Sequence, residues 1–357
     1  MTNLFDPITL RKTIFQNRVW VSPMCQYKAN DGLISEWHFA HLNAFATGAP
    51  GLIMVEASGV VPEGRISLGC TGIWNDEQAK AFKPIINFAH SQNVKIGIQL
   101  AHAGRKASTM RPWDDHQMAA ANEGGWETVS ASPLAYSKMP VPRALKIPEI
   151  HALTNSFVDA ALRSVAVGFD VLEIHAAHGY LFHQFYSPLS NQRSDEYGRS
   201  FENRIRFLLE TTKAIRASIP TDTVLFVRIS ASDWVEGGWN IIDAVELSKA
   251  LKELGVDLID ASSAGNSPDQ KIKVEPGFQV PFATAIRTEV GIPTSAVGLI
   301  TTPEQAQHIV ESNEADAIFL AREMIRNPRW ALSAAEKLGV KIKWPASLER
   351  GQTLPAK

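Results

Sequence analysis

"DVLEIHAA", residues 170–177, is a short β-rich run. It is followed by a long polar stretch, "HGYLFHQFYSPLSNQRSDEYG" (178–198), and then by the helix-like "SFENRIRFLLETTKAIRASI" (200–219). A strand feeding an amphipathic helix is one βα unit, and the unit recurs along the chain. "RVWVSP" (18–23), "GLIMVEAS" (51–58) and "KIGIQL" (95–100) precede it as candidate strands. "VLFVRIS" (224–230), "DLIDASS" (257–263), "PTSAVG" (293–298) and "DAIFLAR" (316–322) follow. Between them lie helix-like stretches at 75–93, 149–168, 241–255 and 302–312, with apolar residues at helical spacing and a cap or Gly near one end. Eight such units predict an α/β protein, a single (β/α)8 TIM barrel rather than a doubly wound sheet.

One connection breaks the rhythm. Residues 101–147 are rich in Pro, Gly and Trp and too long for a plain βα loop. They are expected to form a lid or subdomain inserted after strand 3, on the face where barrel active sites are built. The expected organisation is one barrel over residues 1–340, including that insertion, and a C-terminal tail over 341–357 that reaches a neighbouring subunit.

Composition narrows the function classes. With 45% hydrophobic and 20% charged residues, the chain has the profile of a soluble globular protein. A net charge of −2 gives no electrostatic case for nucleic acid or an anionic membrane as partner. The N-terminus does not read as a secretory signal, and no apolar run is long enough to span a bilayer. Two cysteines, Cys25 and Cys70, form neither a disulfide framework nor a CxxC pair, and a reducing cytoplasm is the expected compartment.

Strand alternation sorts the side chains. In "VLEIHAA", Leu172 and Ile174 share one face, and Glu173 and His175 the other. Ile96, Ile98 and Leu100 oppose Gln99, and Leu225, Val227 and Ile229 oppose Arg228. The aliphatic faces suit the outer helices, which points His175, Arg228 and Gln99 inward near the mouth. An inward Arg must meet negative charge. Arg228 therefore pairs with Glu173 or Asp260, or it faces a ligand anion. Gly298 and Arg322, after strands 7 and 8, stand where barrels bind phosphate. His175 and His178 form an H-x-x-H pair that suits zinc with Glu173 or Asp260 as third ligand, an acid–base site, or ordinary packing.

"HAAHGYLFHQFYSPLSNQRSDEYGRSFENRIRFLLE" (175–210) resembles the Old Yellow Enzyme family of FMN-dependent ene-reductases, in particular its thermophilic-like YqjM/xenobiotic reductase branch. "LFDPITLRKTIFQNRVWVSPMCQY" (4–27), "IQLAHAGRKAS" (98–108), "VEPGFQVPFATAIR" (274–287) and "AVGLIT…FLAREMIRNPRW" (296–330) extend the resemblance over nearly the whole chain. It implies a barrel with non-covalent FMN at its C-terminal mouth, reduced by NADPH or NADH. Ser22, Pro23, Met24, Cys25, Ala57 and Gln99 are then expected to line the flavin ring. Arg228 is expected at its N1/O2 edge, and Gly298 and Arg322 at its phosphate. His175 and His178 are expected to hold the carbonyl oxygen of an α,β-unsaturated substrate, and Tyr180 to protonate the α-carbon. Cys25 is expected to tune the flavin rather than act as a nucleophile, and Tyr27 to contact substrate. The implied enzyme is a cytoplasmic NADPH dehydrogenase acting by a ping-pong course on enones, enals, maleimides and quinones, as a homodimer or homotetramer. A flavin-binding redox sensor with little turnover and a metal-dependent barrel hydrolase are the alternatives.

Departures are specific. Arg199 in "DEYGRS" replaces a glycine common in the family, which matters if that position needs φ > 0. Arg350 in "SLERG" is the candidate for an arginine entering a neighbouring active site, although Leu348 stands where an aromatic is often found. Cys70 reads as structural. Arg193, Asp195, Asn203 and Arg204 read as loop and cap residues, while His102 and Arg105 suit either loop stabilisation or the reducing cofactor. Asp114, Asp115 and His116 read as a solvated lid.

Overall fold

A computed structural model describes residues 2–115 and 117–353. Eight parallel strands close into a barrel: β1 (Val19–Val21), β2 (Leu52–Gly59), β3 (Lys95–Ala101), β4 (Val171–Ala176), β5 (Val224–Ser230), β6 (Leu258–Ser262), β7 (Thr294–Ala296) and β8 (Ala317–Leu320). Closure is made by β8 against β1, where Ile318, Phe319 and Leu320 pair with Val19, Trp20 and Val21. The main outer helices are α1 (Glu36–Ala46), α2 (Lys83–Ser91), α3 (Ile147–Val167), α4 (Phe201–Ser218), α5 (Ile241–Glu253), α6 (Val280–Val290), α7 (Pro303–Glu311) and α8 (Trp330–Lys337).

The alternation expected from the strands holds. Ile96, Ile98, Leu100, Leu172, Ile174, Leu225, Val227 and Ile229 belong to the layer between sheet and helices. Trp20, Met54, Val171, Phe226, Leu258 and Phe319 fill the barrel interior. Trp20 is at the centre of that plug, 5.6 Å from the Phe226 ring and 5.4 Å from Phe319, with its indole N–H donating to Asn17 O. An N-terminal hairpin, Ile8–Leu10 against Thr13–Phe15, adds Leu10 and Phe15 from below. The bottom is thus packed shut, and polar chemistry is confined to the top.

Two expectations change. The stretch 75–93 is two helices, Asp76–Ala81 and α2, because Pro84 at the start of α2 has no N–H to continue the first ladder. The stretch after β4 is not polar loop throughout. It opens with a short helix, Leu181–Tyr186, all of whose residues are buried. Residues 101–147 carry 3₁₀ turns and a pair of two-residue strands, Val129–Ser130 and Arg143–Ala144. Among the described residues no helix is long and apolar enough to cross a membrane.

Candidate active site

The chain runs on from β1 through Ser22, Pro23, Met24 and Cys25. Ser22 N–H donates to Leu320 O at 2.9 Å, and Gln26 N–H donates to Glu56 Oε2 at 3.1 Å. Glu56 is the extra residue of a β-bulge: Val55 pairs with Ile98, but Ala57 pairs with Gln99. The bulge aims Glu56 at His38, whose Nε2 is 3.2 Å from Oε1, and sets Ala57 beside Gln99. One backbone irregularity thereby anchors the 22–26 segment and positions two mouth residues. The neighbouring Cys70 thiol, together with desolvation, pushes the Cys25 thiol well above the usual thiol range, so it is held as a thiol.

Arg228 is nearly buried on the inner face of β5. Its Nε donates to Asp260, Glu173 Oε1 lies 3.8 Å away, and its Nη2 donates to Ser22 Oγ at 3.1 Å. Gln99 Nε2 donates to Glu173 Oε1 at 2.7 Å. The ion pairs with both acids therefore exist, and they hold Arg228 against the Ser22 end of the mouth. Beyond β7 and β8 a cavity of about 330 Å³ is lined by Phe278, Gln279, Gly298, Thr301 and Arg322. Gly298 has φ +110°, and a Cβ there would lie 2.6 Å from Gln279 Nε2. Arg322 opens a short helix and its guanidinium has no ion pair among the described residues. A tight glycine turn, a free guanidinium and a cavity of this size fit the phosphate end of FMN.

His175, His178 and Tyr180 converge after β4. The His175 ring is 5.2 Å from His178 and 5.0 Å from Tyr180, edge-on to both. His178 is left-handed at φ +58°, followed by Gly179 at φ +71°. Such strain persists only where the surroundings over-determine it. Here His178 N–H donates to Ser230 Oγ at 2.9 Å, and Lys106 Nζ donates to His178 O at 2.8 Å and Gly265 O at 2.9 Å. Gly179 N–H donates to His183 Nδ1 at 2.9 Å, Gln184 Nε2 donates to Gly179 O at 2.7 Å, and His183 is held by buried Asp233 at 2.7 Å. His178 Nε2 also lies 2.7 Å from Ser262 Oγ.

Desolvation, with the nearby Arg228 and Lys106 charges, drives both His175 and His178 well below the usual imidazole range. Desolvation raises the Tyr180 phenol well above its ordinary value. The recess therefore presents two neutral imidazoles and a protonated phenol. Lys106 was not singled out by its sequence context, yet its ammonium stands 5.1 Å from the Tyr180 ring centre, with desolvation lowering it to about 8.

The 101–147 segment crosses the loops at the same end. Trp113, 56% exposed, packs edge-on against Tyr27 at 5.9 Å. Arg105 donates to Leu134 O and Asn266 O, and Arg193 donates to Ala131 O and Leu145 O while pairing with Asp195 at 2.6 Å. His102 Nδ1 accepts from Gly104 N–H at 3.0 Å. Arg204 bonds Tyr186 O and Arg199 O, and Ser200 rather than Asn203 caps α4. Arg199 has φ +67°, the left-handed geometry that glycine favours. Asp114 caps Arg111 N–H, and His116 lies outside the described residues. Arg350 sits on an exposed 3₁₀ turn, Ala346–Gly351, with no side-chain bond among the described residues. No group of three or more His, Cys, Asp or Glu that could hold a metal stands together among the described residues.

Comparison with known proteins places the chain in a family. The family model described as NADH:flavin oxidoreductase / NADH oxidase matches residues 3–340. An NADPH dehydrogenase of Geobacillus thermodenitrificans is 46% identical over 98% of this chain and 98% of its own. The old yellow enzyme homologue from Zymomonas mobilis superposes with a TM-score of 0.77 at 28% identity, over 96% of this chain and 94% of that one. A 2-naphthoyl-CoA reductase shares the fold, with a TM-score of 0.86 at 22% identity, and this chain spans 52% of its length. The chain thus belongs to the NADH:flavin oxidoreductase / NADH oxidase family and is an oxidoreductase of the Old Yellow Enzyme type.

Proposed function

We propose that this oxidoreductase, with FMN as cofactor and NAD(P)H as reductant, reduces the activated C=C bond of small α,β-unsaturated carbonyl compounds such as enones, enals, maleimides and quinones. FMN supplies a two-electron hydride relay between the nicotinamide and the alkene, in a ping-pong course. The observation that carries the reading is the convergence of His178 and Tyr180 on the His175 ring, which stands beside Arg228 on the neighbouring strand.

His175 and His178, being neutral, each donate one N–H to the substrate carbonyl without adding charge. Negative charge grows on that oxygen along the reaction, so both bonds strengthen toward the transition state. Tyr180 holds the proton for the α-carbon, and its raised pKa keeps that proton in place at neutral pH. Arg228 presents fixed positive charge to the N1/O2 edge of the cofactor. Ser22, Pro23, Met24, Cys25, Ala57 and Gln99 line the ring, and Gly298 and Arg322 hold the phosphate. Tyr27 packs on the substrate. Arg350 is assigned to a neighbouring subunit's mouth in a homo-oligomer.

An anaerobic visible spectrum tests this directly. The flavin band should bleach with NADPH and return with 2-cyclohexenone. His175→Ala should weaken enone turnover while FMN content is kept. Bleaching without recovery across all four acceptor classes would sink the ene-reductase reading.

A further inference from the structure

Beneath the mouth, Glu173 on β4 and Asp260 on β6 flank Arg228 on the strand between them. Both carboxyls have no exposed surface, and Arg228 has only 4%. Two formal anions therefore face one cation in a site closed off from bulk solvent. Arg228 Nε is committed to Asp260, and Gln99 satisfies only Oε1 of Glu173. The other oxygen of each acid, Glu173 Oε2 and Asp260 Oδ1, has no hydrogen-bond partner among the described residues. A surplus buried carboxylate is so costly that such a group takes up a proton instead. A single proton resolves both problems: it cancels the surplus charge and supplies the one donor that both orphaned oxygens lack.

We propose that Glu173 is held as a carboxylic acid, its Oε2–H donating to Asp260 Oδ1, so that the two acids form a buried proton site that sets the net charge behind Arg228. Both are positioning residues in this scheme, since they act through the guanidinium. The inference rests on the reading that Arg228 faces the flavin.

The surroundings agree. Desolvation pushes Glu173 up to about 8; Arg228 opposes the rise and Asp260 adds to it. The groups that face this site from each packed element are Ser22 after β1, Gln99 on β3, His175 on β4 and Arg228 on β5, with His178 and Lys106 in the turns above. Of these, the two imidazoles are neutral. Lys106, bonded to His178 O and Gly265 O, is itself lowered to about 8, so only the comparison with Glu173→Gln assigns a step near pH 8 to Glu173.

The consequence is a charge step. With the proton in place, Glu173, Asp260 and Arg228 sum to zero. Above about pH 8 they sum to −1, and negative charge gathering against Arg228 on two-electron reduction of the cofactor is opposed. Reduction then draws an additional proton onto Glu173. In that window the midpoint potential of the holoenzyme should fall more steeply with pH, by a further tenfold in the equilibrium constant per unit, or about 30 mV.

The test has two arms. In the first, infrared spectra at neutral pH, with and without FMN, should show the C=O stretch of a protonated buried carboxyl. The stretch should vanish in Glu173→Gln. It should also vanish in Asp260→Asn, where Glu173 remains but the surplus anion is gone and Glu173 ionises. In the second arm, the potential of the holoenzyme is followed across pH 8. The steep window should be present in the native protein and absent in Glu173→Gln, which keeps the shape without a titrating proton. Lack of the stretch in the native protein, or its persistence in Glu173→Gln, overturns the proposal. A stretch that behaves as expected beside an unchanged potential slope supports the proton site and removes the flavin-facing role of Arg228, which separates the two failures.

Discussion

Gly179→Ala is the sharpest perturbation of the candidate site that leaves every polar side chain in place. A Cβ at Gly179 would lie 2.1 Å from Gly265 O and 2.7 Å from Gly265 C, where real Cβ contacts stay beyond 3.0 Å. The obstacle is backbone, so it cannot rotate away, and one of the two turns must shift by about 1 Å. Gly179 stands between His178 and Tyr180, and the shift passes to both. A displacement of that size at a reacting group lowers the rate roughly 100-fold. Overpacking together with the φ of +71° should remove about 2–4 kcal/mol of stability. FMN content should be unchanged, because the Gly298 and Arg322 cavity lies beyond different strands. Stopped-flow reoxidation of the reduced enzyme by 2-cyclohexenone measures the rate, and a urea titration measures the stability. A variant that reoxidises within about threefold of the native rate would falsify the claim that backbone packing between the two turns sets the geometry.

Tyr180→Phe should slow alkene reduction by roughly 10²–10⁴-fold and leave reduction of the flavin by NADPH untouched, a split read by comparing the two half-reactions. Acid should destabilise the fold from about pH 6.5 downward, because His102, His175 and His178 are held neutral by desolvation while the unfolded chain protonates them. His102, lowered to about 4, should account for roughly 3 kcal/mol of that loss by pH 4, so His102→Asn should flatten the dependence of the urea midpoint on pH. Arg199→Gly should relieve left-handed strain and raise stability by up to about 1 kcal/mol at unchanged turnover. A fall in melting temperature for that variant contradicts the strain.

Much of the barrel was legible because strands have a strict period of two. Once "VLEIHAA" and "VLFVRIS" were read as strands, His175, Glu173 and Arg228 had to share the interior, and they do. Three features left no such trace. The bulge at Glu56 is invisible in "GLIMVEAS", because an extra residue shows only in the register with β3. The helix Leu181–Tyr186 is buried on every side, so it has no polar face to reveal its period. Nothing in "GRKAS" singles out Lys106, yet tertiary packing encloses it and turns its ammonium onto two carbonyls. Cys70 lies 45 positions from Cys25, and only the fold brings the thiols together.

The closing seam between β8 and β1 has a consequence for how the protein is made. Arg18 O accepts from Ile318 N–H, two residues 300 positions apart. During synthesis at about 5–20 residues per second, the partner of the first strand is absent for at least about fifteen seconds. Throughout that interval the growing sheet has two unpaired edges, and Trp20 lacks Phe226 and Phe319 against its ring until they emerge. Completion should therefore come as a late, concerted step rather than strand by strand. A ribosome-stalled chain that ends before Ala317 should remain protease-sensitive at β1, and one that extends past α8 should not.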